Sequence, residues 1–75
     1  MEWFNSLQPG QTYYDTVEKE EFTIVVKKRS AWYAKRPHLK MLSRLFLDDD
    51  IVYIQWTQVS SSHRPLHLEN LVRRG

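Results

Sequence analysis

The chain has 75 residues, no cysteine, and 11 Lys and Arg against 9 Asp and Glu, a formal net charge of +2. That length allows one small domain, with roughly 4,900 Å² of accessible surface when folded. Zero cysteine removes disulfides, thiolate metal sites and thiol nucleophiles. Forty-one per cent hydrophobic residues, with three Trp, four Tyr and three Phe, are enough to offset chain entropy and predict an ordered fold. No apolar run approaches the length of a membrane span, and no basic segment precedes an apolar one at the start, so a cytoplasmic protein is expected.

In chain order, residues 1–8 read as an aromatic lead-in carrying Trp3 and Phe4. Pro9-Gly10 is a turn signal that opens the regular structure. Residues 11–17 are rich in β-formers and predict a strand. The charged run Glu18 to Glu21 predicts a hairpin loop into a second strand, Phe22 to Lys27. Simple alternation would put Phe22, Ile24 and Val26 on one face, with Thr23, Val25 and Lys27 on the other. Residues 29–38 then read as a long loop.

Residues 39–47 have two readings. Leu39, Leu42, Leu45 and Phe46 recur at helical spacing. A short segment ending in three aspartates is a poor helix, because its dipole disfavours negative charge there. The favoured reading is a strand with Leu45 and Leu47 on one face and Asp48 to Asp50 as a hairpin turn. The alternative is an α+β fold with a short helix at 39–47. Residues 51–59 form the clearest strand, with Val52, Ile54 and Trp56 on one face. Ser60 to Ser62 end it, Pro65 starts a short edge segment through Leu68, and residues 69–75 predict a terminal turn. Four or five short strands with charged turns predict a mainly β chain, either a small barrel or a curled antiparallel sheet. Closure would hide strand edges, and the order of elements resembles an SH3-like barrel in architecture alone.

The charge is unevenly distributed. Lys27, Lys28, Arg29, Lys35, Arg36, Lys40 and Arg44 lie in one stretch without an acid, leaving four basic residues against nine acids elsewhere. Trp32, Tyr33 and His38 are interleaved with them. Two binding readings follow. In the first, the chain is a protein-interaction module using exposed aromatics such as Trp3, Tyr14, Trp32, Tyr33 and Tyr53, because Trp, Tyr and Arg dominate interface energetics. In the alternative, residues 27–44 bind nucleic acid, with cations on phosphates and Trp32 or Tyr33 stacking on bases. A solvated basic loop with Trp32 serving the core is the structural counterpart to both.

Acids gather at Asp15, Glu18, Glu20 and Glu21 and at Asp48 to Asp50, which read as charged turns. The aspartate triplet lacks the spread of ligands that an EF-hand loop requires. His63 and His67 are four apart, but Pro65 between them prevents the continuous helix that would align them as metal ligands. Ser60 to Ser62 beside His63 have no nucleophile elbow, and Gly10 and Gly75 make no phosphate loop. The sequence therefore points to a non-enzymatic module with no metal and no cofactor.

Overall fold

The computed structural model describes residues 2–74. They form a mainly β, curled antiparallel sheet of seven strands, two or three more than the sequence predicts. After a short helix α1 (Glu2–Asn5) come β1 (Thr12–Asp15), β2 (Glu20–Lys28), β3 (Ala31–Lys35), β4 (Ser43–Asp48), β5 (Ile51–Gln55), β6 (His63–Pro65) and β7 (Leu71–Arg74). Their spatial order is β6-β5-β4-β3-β2-β1-β7. Each consecutive pair is therefore a neighbour, and only β7 returns across the sheet to pair with β1. The whole chain exposes 4951 Å², close to the value expected from its length.

Five sequence readings need correction. Residues 29–38 are not a loop: Ala31–Lys35 is strand β3, paired with β2 on one side and β4 on the other. Its tight turn is made by Arg29, whose φ of 58° lies in the left-handed region. Glu20 and Glu21 belong to β2, leaving residues 16–19 as the first hairpin's turn. Residues 56–59 are not strand, since β5 ends at Gln55. The ambiguous segment resolves as strand β4, paired with β5 through the Asp49-Asp50 turn. Both aspartates have positive φ, 48° and 64°, as a two-residue hairpin turn requires. Pro65 ends rather than starts the edge strand, and the C-terminal segment is a 3-10 turn, Leu68–Asn70, followed by β7.

A bulge in β2 decides which residues face the core. Ile24 pairs with Ala34, but Val26 pairs with Tyr33, so Val25 is the extra residue. Beyond the bulge the alternation inverts, placing Lys27 opposite Trp32 on the inner face and Val26 on the outer one. The core gathers Phe4, Leu7, Phe22, Ile24, Trp32, Ala34, Leu45, Val52, Ile54 and Leu66. Trp3, Tyr13, Leu47 and Leu71 pack against it. Backbone hydrogen bonds pin its margins: Gly10 N–H donates to Ile24 O at 2.7 Å, and Leu66 N–H to Val52 O at 2.7 Å. Gly10 sits at φ 94°, a conformation that side-chain-bearing residues rarely adopt.

Candidate functional site

The sheet register separates the basic-aromatic segment into two faces. Trp32 points inward, is 6% exposed, and donates its indole N–H to Phe4 O at 2.9 Å. The ring proposed from sequence as a stacking surface is thus a core anchor that fastens α1 onto the sheet. Lys27 sits beside it on the inner face, its ammonium 5.5 Å from the indole centroid. The long lysine side chain follows the ring to the rim, which leaves Lys27 exposed.

Arg36 is also removed from the binding set. It is 1% exposed and faces Asp15 at 3.7 Å and Glu20 at 3.4 Å. Asp15, which the sequence places in an exposed charged turn, is itself fully buried. One of its carboxylate oxygens accepts the N–H groups of Val17 at 3.0 Å and Glu18 at 3.3 Å. The other meets Arg64, which also donates through Nε to Glu18 at 3.0 Å. Arg64 lies opposite Ile54 and so points inward from edge strand β6. This five-residue network joins β6 to β1 and β2 across the mouth of the curl. Three acids of the first hairpin, Asp15, Glu18 and Glu20, meet two arginines there, while Glu21 faces Arg74 instead.

Six cations of the segment remain: Lys27, Lys28, Arg29, Lys35, Lys40 and Arg44. None forms an ion pair among the described residues. His38 and Lys40 are exposed in the connection between β3 and β4. Lys28 and Arg29 occupy the β2–β3 hairpin end, and Lys35 and Arg44 lie on the outer sheet face.

That outer face carries two cross-strand rows. Val26, Tyr33, Arg44, Gln55 and His63 form one, and Lys28, Ala31, Phe46, Tyr53 and Pro65 form the other. Directly opposed side chains on one sheet face touch, and these do. Phe46 and Tyr53 stack with centroids 5.6 Å apart and 23° between planes. His63 meets both rings edge-on, at 5.7 Å from Phe46 and 5.1 Å from Tyr53. The Arg44 guanidinium lies 4.4 Å from the Phe46 centroid. Tyr33 is half-buried next to Arg44. A shallow depression of about 170 Å³, lined by Glu21, Thr23, Lys35 and Pro37, adjoins these rows on the β2–β3 side.

Sequence reasoning included Tyr33, Arg44, Lys28 and Lys35, and it named Tyr53 only as an exposed aromatic. It missed Phe46 and His63 as members of the same surface. Phe46 was discoverable from the strand reading of residues 43–48, because Leu45 and Leu47 facing inward requires Phe46 to face outward. His63 was not, since its place depends on β6 adding to the sheet edge.

Among the described residues there is no group of three His, Asp or Glu side chains that could hold a metal ion, and no helix long and apolar enough to cross a membrane. Comparison with protein-family models, with characterised proteins and with solved structures gives no match.

Proposed function

We propose that the chain is a non-enzymatic binding module, built on an SH3-like curled sheet, whose outer face takes single-stranded nucleic acid. The observation that carries this reading is the juxtaposition on one face of the Tyr33, Phe46, Tyr53 and His63 rings with cations that have no carboxylate partner among the described residues. Single strands expose base faces for stacking and phosphates for charge neutralisation, and this surface offers a counterpart to each. Lys28 and Lys35 flank the rings, Arg44 stands among them, and Lys27, Arg29 and Lys40 extend the positive field beyond the sheet.

The same ring and arginine types anchor protein interfaces. On this face, however, the short run Ala31, Phe46, Tyr53 and Pro65 ends at Lys28 and is bordered along its length by Arg44 and Gln55, so the rings stand beside cationic and polar groups. Most of the large apolar side chains that are exposed, including Val17, Met41, Val59 and Val72, belong to turns, connections or the β7 edge. The distribution therefore favours the nucleic acid over a protein partner here.

The test is fluorescence anisotropy with a labelled oligothymidylate about 15 nucleotides long, at several salt concentrations. Binding is expected to weaken with salt, with a slope of about −0.7 for each phosphate neutralised. Tyr53→Ala should weaken it roughly 5- to 150-fold, corresponding to the loss of one base stack. Absence of binding at low salt would sink the reading. So would binding that ignores both salt and Tyr53→Ala.

A further inference from the structure

A second surface, distinct from the outer sheet face, lies where α1 and the 3-10 turn flank the start of β5. Trp3, Ile51, Val52, Leu66 and Leu68 line a groove of about 260 Å³ there, with Asp50 and Glu69 also in its lining. The floor is fixed: Val52 and Leu66 are core residues joined by the backbone bond from Leu66 N–H to Val52 O. The walls are not covered. Ile51 is 38% exposed and Leu68 48%, while Trp3 is half-buried. They bring two large exposed apolar side chains and an aromatic ring together.

The charge of the groove is one-sided. Neither Asp50 nor Glu69 forms an ion pair among the described residues, and no lysine or arginine lines the groove. Among the described residues, His67 is the sole basic side chain in the lining. A volume of this size lies below that of typical small-molecule sites, so it suits side chains of an extended segment better than a cofactor. Apolar walls next to unpaired carboxylates complement a cation carried on an apolar stem.

We propose that this groove docks a basic peptide segment of a partner protein. A lysine or arginine of that segment meets Asp50 and Glu69, and a neighbouring apolar side chain packs against Trp3, Ile51 and Leu68. Charge complementarity selects the partner, and the apolar walls supply contact area. The proposal stands independently of nucleic-acid binding, because none of its residues belongs to the two outer-face rows around Arg44 and Phe46.

The probe is the blocked hexapeptide Gly-Leu-Lys-Leu-Arg-Gly, titrated into the isotope-labelled full chain while backbone amide shifts are followed. Its control replaces the two basic residues with glutamates. Saturable shifts centred on Trp3, Asp50 to Val52 and Leu66 to Glu69 are expected with the basic peptide alone. The double variant Asp50→Asn, Glu69→Gln should bind it at least about tenfold more weakly, equivalent to roughly 1.4 kcal/mol. Asparagine tolerates the left-handed backbone at position 50, and an unchanged amide spectrum elsewhere would establish that the variant is folded. Oligothymidylate affinity should stay the same in that variant. Equal response to the acidic peptide, or no response to either, would overturn the proposal. So would groove shifts driven by protein concentration alone, because the occupant would then be a second copy of the chain.

Discussion

Asp15 keeps a carboxylate in a fully buried position because two backbone N–H groups and Arg64 converge on it, with Arg36 close by. Such a pair need not add stability compared with an apolar replacement of the whole cluster. Removing one member is different, since it strands the rest. Asp15→Ala leaves Arg36 buried beside Glu20 alone, and it should cost about 3–5 kcal/mol in urea unfolding. Arg36 Nε already lacks a hydrogen-bond partner, so the network has no spare acceptor to offer. At Trp32 the decisive atom is the indole nitrogen. Trp32→Phe retains most of the apolar packing but deletes the donor to Phe4 O, with an expected loss of about 1–2 kcal/mol in thermal or chemical unfolding. Oligothymidylate binding by the folded Trp32→Phe protein should be unchanged, which would separate its core role from a stacking role.

Strand elements were legible where both alternation and turn chemistry agreed. Residues 51–55 and 45–47 are such cases, since Val52, Ile54 and Leu45 all reach the core. The strand at 31–35 was hidden because Lys35 and Arg36 made the stretch look solvated and its hairpin turn contains no glycine. Arg29 occupies the left-handed position there, at φ 58°. The buried charge network was equally hidden, because its members are scattered from Asp15 to Arg64 and only the curl brings them together. Of the basic segment, sequence spacing locates the charge but not the faces, because the strand at 31–35 is hidden and the β2 bulge reverses the alternation at Lys27. The strained turn has its own consequence. Arg29→Gly relieves a left-handed conformation that costs about 1–2 kcal/mol, less the extra entropy of glycine. The expected result is a higher midpoint in thermal unfolding together with weaker oligonucleotide binding, because an unpaired cation is lost.

At the scale of the molecule, a near-neutral total conceals three separate populations of charge. One is centred on the buried Asp15 and Arg36, with half-buried Glu20 and Arg64 and exposed Glu18 paired around them. One is the unpaired cationic set around the outer face, and one is the acidic groove with Asp50 and Glu69. Exposed charges are screened by salt much more than buried ones. Raising salt from about 50 to 500 mM should therefore abolish oligonucleotide binding while moving the unfolding midpoint little. A parallel loss of both would mean that the clasp between β6 and β1 is open to solvent.

The extra residue in β2 has a consequence for how the chain tolerates changes in length. On either side of Val25 the strand is already in phase with β3, with Ile24 inward before it and Val26 outward after it. Deleting Val25 would thus leave every other side chain of β2 on its present face, whereas deleting Phe22 or Lys27 would throw one flank out of phase. What the shorter strand would lose is curvature, since a bulge adds local twist. A flatter sheet would carry Arg64 away from Asp15, unfastening β6 from β1 without disturbing a single row. In this fold, one surplus residue adds to the bend that brings the far strands of a ribbon of hairpins within reach of each other.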